Sequence, residues 1–141
     1  MPDLVHQFHV AASADALFAA ISTPEGLNSW WTLESSGQPQ VGTQYRFYFG
    51  PKYDWLATVV AVEANRAITW QMSRAMEDWL PTCLEFRISP ARGGCTVHFA
   101  HRAWQAESEH FAISNFCWGQ LLKGLKDYVE HAIVVPLDRR N

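Results

Sequence analysis

Two histidines are the residues of this chain whose type and spacing first suggest chemistry. His98 and His101 stand three residues apart, but they lie in an alternating segment that predicts a β-strand. Residues three apart on a strand point to opposite faces of the sheet, so the two rings cannot hold one metal ion. We therefore predict no metal site. His101 should point inward, either as a hydrogen-bonded structural residue or as a polar anchor or acid–base group of a pocket.

The cysteines give weaker indications of chemistry. Cys117 lies on the apolar face of a predicted helix, where a buried thiol is usually an inert small side chain. Cys83 and Cys95 fall on a predicted hairpin but are not cross-strand partners, so we predict no disulfide between them. The chain also has no glycine loop that would cradle a phosphate and no dinucleotide fingerprint. We assign no catalytic residue and predict no cofactor.

Aromatic residues are unusually frequent, with seven Trp, eight Phe and four Tyr in 141 residues. Ligand pockets are mostly apolar and aromatic with a few polar groups, but a filled core has the same composition. The sequence leaves both interpretations open for the rings that alternation places on inward faces. The candidate ligand-binding residues are Trp30, Trp31, Tyr45, Phe47, Trp55, Trp70, Phe86, Phe99, His101, Cys117, Trp118 and Leu121.

Length and charge restrict the class of protein. The length predicts one domain, residues 1–135, followed by a C-terminal tail, residues 136–141. The formal charge is −3 without a basic patch, so we expect no nucleic-acid binding. No apolar run is long enough to span a membrane, and the N-terminal residues do not resemble a signal peptide. We therefore expect a cytoplasmic protein.

The elements that must position these residues follow from periodicity. Leu4–Val10 alternates as a strand, and residues 12–31 hold two short helices for which Ser13 and Thr23 are the expected N-caps. Five more alternating segments follow, after a polar loop at Glu34–Gln40. A long amphipathic helix is predicted over Glu107–Ala132. The fold class is thus α+β: a curved six-stranded antiparallel sheet with the last helix across a cavity.

Three segments resemble one known family. Thr23–Trp31 reads TPEGLNSWW and matches the pattern T/D-P-E-x-L-x-x-W-W; Thr96–His101 reads TVHFAH; and Cys117–Val129 carries the pattern of the closing helix. These motifs are similar to those of the family named after the activator of heat-shock-protein-90 ATPase. That family lies in the START-like, or birch-pollen-allergen-like (SRPBCC), superfamily. Where members usually have a proline before the first helix, this chain has Ser13.

The resemblance implies a helix-grip fold and leaves three functions open. The first is binding of a small hydrophobic or aromatic molecule between the sheet and the last helix, without catalysis. The second is an enzyme, a cyclase or hydrolase acting on a polyketide-like substrate, with His101 as the best candidate residue. The third is a co-chaperone-like interaction module, for which Trp79 and Trp104 would be the exposed aromatics; the alternative is that either of them covers the core. A homodimer is compatible with all three.

Overall fold

The structure, a computed structural model, describes residues 2–140 and combines a single antiparallel sheet with three α-helices in that part of the chain. Two 3₁₀ turns, Glu77–Trp79 and Leu137–Arg139, complete it. The elements in chain order are β1 (Leu4–Val10), α1 (Ala14–Ser22), α2 (Pro24–Trp30), β2 (Glu34–Ser36), β3 (Gln44–Tyr48), β4 (Asp54–Glu63), β5 (Ala67–Arg74), β6 (Cys83–Ala91), β7 (Gly94–Arg102) and α3 (Glu109–His131).

The sheet has the order β1-β7-β6-β5-β4-β3-β2, and every neighbouring pair is antiparallel. The predicted α+β class and the long closing helix are confirmed, but the predicted number of strands is wrong, since the described residues form seven rather than six. The additional strand is β2, which lies in the stretch predicted as a loop and pairs Glu34 with Tyr48 and Ser36 with Arg46. A short polar edge strand buries neither face, so alternation does not reveal it.

The two short helices begin where the sequence predicts. Ser13, Thr23 and Ser108 each accept a hydrogen bond from the backbone N–H three residues later, at the starts of α1, α2 and α3. Gly26 lies where α2 contacts α1. A Cβ at this position would come within 2.5 Å of the Ala19 carbonyl oxygen, so the contact requires a residue without a side chain. The close approach allowed by this glycine brings Trp30 under the sheet.

Helix α3 is attached along the edge strand β1. Asn115 Oδ1 lies 2.9 Å from His6 Nε2, and the backbone N–H of Ala11 donates to Glu130 at 2.8 Å. Lys126 donates to the carbonyl of His9 and thereby adds a third link. No helix of the described residues is long and apolar enough to cross a membrane.

Six inward-facing rings fill the centre of the molecule, and none of them is more than 1% exposed. Tyr45 donates its hydroxyl to the carbonyl of Ser22 at 2.7 Å, and Trp30 donates its indole N–H to Ala20 at 2.9 Å. These bonds connect the ring layer to α1, so this part of the interior is packed. We call these rings the core aromatics: Trp30, Tyr45, Phe47, Trp70, Phe86 and Phe99.

The residues predicted as a tail return to the body of the protein. Arg140 is 9% exposed and donates to three main-chain carbonyls, those of Ser29, Thr32 and Val135, at 3.3, 3.1 and 2.8 Å. Two of these carbonyls lie at the C-terminal end of α2, where the helix dipole favours a cation. The contact brings Leu137 beside α3.

Candidate ligand-binding cleft

An open cleft of about 510 Å³ lies at one end of the sheet, between the first half of α3 and the hairpin of β3 and β4. Its walls are mostly aromatic and apolar, with two hydroxyls, a thiol, an imidazole and a guanidinium among them. The lining residues are Trp31, Phe49, Tyr53, Trp55, Met76, Trp79, His110, Ile113, Ser114, Cys117, Trp118, Leu121, Leu137 and Arg140.

A larger depression, about 810 Å³, lies near the turn between β6 and β7. It is a groove lined by turn residues such as Gly93 and Gly94, together with Glu63 and Arg66, and no aromatic side chain reaches it. Ligand sites bury most of their ligand against apolar and aromatic walls. We therefore take the aromatic cleft as the candidate site.

Five rings of the cleft contact one another in a closed circuit. The ring centroids are 5.2 Å apart for Trp31 and Trp118, 6.0 Å for Trp118 and Trp79, and 4.7 Å for Trp79 and Trp55. Phe49 closes the circuit, at 4.9 Å from Trp55 and 5.6 Å from Trp31. We call these five residues the cleft aromatics. Each of the five centroid distances lies within the range at which two aromatic rings attract each other by more than their burial alone.

The cleft aromatics come from four separate parts of the chain. Trp31 follows α2 directly, Phe49 and Trp55 flank the turn between β3 and β4, Trp79 ends a 3₁₀ turn and Trp118 lies on α3. The sheet and helix are thus both needed to assemble the site. Its shape depends on the distance at which α3 crosses the sheet.

Two tryptophans occupy positions that differ from the sequence-based expectation. Trp79 and Trp104 were the expected exposed aromatics, but they are only 6% and 1% exposed. Trp79 turns inward and donates a long hydrogen bond of 3.4 Å to Ser114 Oγ, and Trp104 packs behind it against His101 and Phe111. Neither residue offers a surface patch, because the irregular segments that carry them fold over the end of the sheet.

His101 lies beneath the cleft in a chain of hydrogen bonds. Trp118 donates its indole N–H to His101 Nδ1 at 3.1 Å, so the imidazole proton must be on Nε2. Nε2 is 2.7 Å from Thr82 Oγ1, and the Thr82 hydroxyl in turn donates to the carbonyl of Trp79 at 2.5 Å. Both ring nitrogens therefore have partners, which is the arrangement of a structural histidine.

The surroundings of His101 keep its ring neutral. Burial, and to a lesser extent the nearby His110, lowers the pKa of His101 to about 3. Protonation would also place a hydrogen on Nδ1, where the Trp118 N–H already donates. The predicted inward orientation of His101 is confirmed. His98 points to the other face and lies 3.1 Å from Ser89 Oγ, so the two rings do not meet.

Helix α3 contributes a hydroxyl and a thiol to the cleft. Ser114 is 4% exposed and accepts the long bond from Trp79, which leaves its own proton available to a ligand. Cys117 is half-buried, and burial raises the pKa of its thiol. A protonated thiol is a poor nucleophile, so Cys117 forms part of the wall.

Positive charge exceeds negative charge among the side chains that line the cleft. Burial lowers the pKa of Arg140, but a guanidinium remains protonated in proteins. His110 lies 3.4 Å from the Asp78 carboxylate, which does not itself line the cleft. None of the lining residues named above is a carboxylate.

The twelve residues predicted as ligand-binding divide into two groups. Five of them line the cleft: Trp31, Trp55, Cys117, Trp118 and Leu121. The others are buried away from it, as the core aromatics and His101. Lining residues that sequence reasoning missed come mainly from turns and irregular segments, namely Phe49, Tyr53, Met76, Trp79, Leu137 and Arg140. The signals in the sequence were the alternation that puts Phe49 on the face of Tyr45 and Phe47, and the proximity of Tyr53 to Trp55.

The fold is that of a START-like domain. Residues 11–130 match the family model described as Activator of Hsp90 ATPase homolog 1-like protein. The chain belongs to this family, as its motifs predicted. A comparison with curated proteins by sequence gives no match.

Solved structures with the same fold come from several bacteria. The Aha1 dimer from Colwellia psychrerythraea is 29% identical, with a TM-score of 0.85 over 93% of this chain and 98% of that one. Protein SSP2350 from Staphylococcus saprophyticus is 18% identical, with a TM-score of 0.81 over 95% and 96% of the two chains. The AHSA1-like protein from Aeromonas hydrophila is 20% identical, with a TM-score of 0.76 over 93% and 94%. The last two similarities concern the fold alone.

Proposed function

We propose that this protein binds a small, largely aromatic or apolar molecule in the cleft at the end of the sheet. The observation that carries the proposal is the continuous wall of five contacting aromatic rings along a cleft of about 510 Å³. This volume is within the range of small-molecule sites, and its few polar groups are of the kind that orient a ligand.

The state of the polar groups favours binding over catalysis. A general base needs a free lone pair within reach of the substrate, but the Nδ1 lone pair of His101 is occupied by Trp118. The Cys117 thiol is held in its protonated form, and no base accompanies it in the hydrogen bonds of residues 2–140. We therefore rank the binding protein ahead of the cyclase or hydrolase.

A fluorescent apolar probe tests this proposal. N-phenyl-1-naphthylamine is neutral, fits the cleft by size and fluoresces when it leaves water. We expect saturable fluorescence enhancement with the natural chain, and a loss of affinity of about tenfold or more with Cys117→Phe, because the new ring occupies the space of the ligand.

Ala112→Phe is the matched control, since it adds a ring to the exposed side of the same helix. It should bind the probe as the natural chain does. Absence of saturable binding to the natural chain, or equal affinities for Cys117→Phe and the natural chain, would refute the assignment of the cleft as a ligand site.

A second candidate property is self-association. The Colwellia relative is described as a dimer, and α3 carries two large exposed apolar side chains, Phe116 (68%) and Ile113 (52%), three residues apart on one face. We expect light scattering after gel filtration to give twice the monomer mass. Phe116→Glu should give the monomer mass, and a monomer in the natural chain would exclude the dimer.

A further inference from the structure

The cleft combines one permanent positive charge with apolar walls. Arg140 is the only Lys or Arg among its lining residues, and none of those residues is Asp or Glu. A pocket of this kind is complementary to an apolar molecule with one negative charge, since a neutral ligand would leave the guanidinium without an acidic partner among residues 2–140.

Within residues 2–140, the hydrogen bonds of Arg140 are all with neutral groups. Its Nε, Nη1 and Nη2 donate to the main-chain carbonyls of Val135, Thr32 and Ser29. No carboxylate of residues 2–140 lies within 4 Å of it, in contrast to Arg46, Arg74 and Arg102, which all have acidic partners.

The three carbonyls use three of the five N–H groups of the guanidinium. Two N–H groups have no acceptor among residues 2–140, and a carboxylate is the acceptor that matches the planar fork of an arginine best. The carbonyls also hold the side chain in one position. The group is therefore oriented in advance, which reduces the entropy lost when a ligand binds.

We propose that the ligand of the cleft is an aromatic or apolar acid whose carboxylate is bound by Arg140; this inference rests on the ligand-binding function proposed above. The acid group lies at the Leu121 end of the cleft, where the C-terminal segment crosses α3. The apolar body lies along the cleft aromatics.

The other end of the cleft sets the length of this ligand. Ser114 offers its hydroxyl proton seven residues before Leu121 on α3, which corresponds to about 10 Å along the helix. A molecule that places a hydrogen-bond acceptor roughly that far from its carboxylate reaches both groups. Two fused aromatic rings with an acidic side chain have approximately these dimensions.

An isosteric pair of competitors tests the role of the charge. Bound N-phenyl-1-naphthylamine is displaced with 2-naphthylacetate and, separately, with 2-naphthylacetamide, which has the same shape but no charge. We expect the acid to displace the probe at a concentration about tenfold lower than the amide, as charge-assisted hydrogen bonds are the stronger ones. In Arg140→Gln the two concentrations should become equal.

Two variants separate the charge of Arg140 from its other effects. Arg139→Gln removes the same charge from the neighbouring, exposed residue and should keep the preference for the acid. Arg140→Lys retains the charge and should keep part of the preference. Because the readout is the ratio of acid to amide, a general loosening of the C-terminal segment affects both competitors alike.

The outcomes distinguish the two proposals. If the probe binds but acid and amide displace it equally, or if Arg140→Gln keeps the preference, the anion site is refuted and the apolar cleft stands. If Arg139→Gln abolishes the preference as fully as Arg140→Gln does, the effect is long-range charge and the proposed site is also refuted. If the probe does not bind at all, the cleft proposal fails and this inference fails with it.

Discussion

The core aromatics and the cleft aromatics are similar in composition but differ in what surrounds them. Both groups lie on the inward side of the sheet; the core aromatics are Trp, Phe and Tyr rings, and the cleft aromatics are Trp and Phe rings. The core rings are at most 1% exposed and none of them lines the cleft, whereas the cleft rings line about 510 Å³ of open space, although Trp31, Trp79 and Trp118 are themselves at most 6% exposed. Aromatic content alone therefore does not decide whether an interior is filled.

The two groups of rings differ in the elements that cover them. Helices α1 and α2 lie over the core aromatics, and Tyr45 and Trp30 are hydrogen-bonded to α1. The cleft is covered by the first half of α3, the 3₁₀ turn at Glu77–Trp79 and the C-terminal segment around Leu137. These elements meet at their edges and leave a gap between them.

The largest effect that we expect from this comparison concerns stability. Phe86→Ala in the core should lower the free energy of unfolding by about 3–5 kcal/mol, the range for truncating a buried phenylalanine. Phe49→Ala in the cleft should cost only about 1–2 kcal/mol, because that ring already borders open space. Chemical denaturation of both variants measures the difference.

Probe binding provides the complementary measurement for these two variants. Phe49→Ala should weaken the binding of N-phenyl-1-naphthylamine, and Phe86→Ala should leave it unchanged at temperatures where the variant is folded. Equal losses of stability for the two variants would mean that the cleft is packed in solution, and the distinction between the two regions would be wrong.

The core could be predicted from the sequence because it depends on local patterns. Alternation in β3, β5, β6 and β7 was sufficient to place the inward rings, and short capping signals located the starts of the helices. The three-residue β2 was missed because all its residues are polar, so its sequence shows no alternation of apolar and polar side chains. Family motifs added the long-range arrangement that alternation cannot provide.

The cleft was only partly predictable because it is formed by long-range contacts. Trp79 lies in an irregular segment with no periodicity, and its inward orientation depends on Thr82 and Ser114. Arg140 reaches carbonyls more than a hundred residues earlier in the chain. Nothing in the spacing of neighbouring residues indicates such a contact.

A second, smaller effect is expected where the two regions meet, at His101. Its pKa is about 3 in the folded chain against about 6.5 for an unperturbed histidine, so only the unfolded chain takes up a proton between these values. The free energy of unfolding is therefore highest above about pH 6.5, where His101 is neutral in both states, and it decreases as the pH falls. At about pH 5 the loss is about 2 kcal/mol, from roughly 1.4 kcal/mol per pH unit.

The test compares unfolding at about pH 7.5 and pH 5 for the natural chain and for His101→Gln. The variant should start from a lower stability, since Trp118 and Thr82 lose a partner, but it should fall less on acidification. His98→Gln, on the outer face of the sheet, should keep the slope of the natural chain. An unchanged slope in His101→Gln would mean that His101 is accessible to protons in the folded state.

The smallest expected effect uses one tyrosine from each region and removes a single oxygen atom from each. Tyr45→Phe deletes a buried hydroxyl that donates to the Ser22 carbonyl at 2.7 Å, and should cost about 1 kcal/mol, because the carbonyl loses its side-chain partner in a place that water does not reach. Tyr53 is 44% exposed at the mouth of the cleft, so Tyr53→Phe should leave stability within about 0.5 kcal/mol of the natural chain. Thermal unfolding of the pair resolves the difference. A cost for Tyr53→Phe as large as that for Tyr45→Phe would indicate that the mouth of the cleft is closed and desolvated, and that a ligand must displace protein rather than water in order to enter.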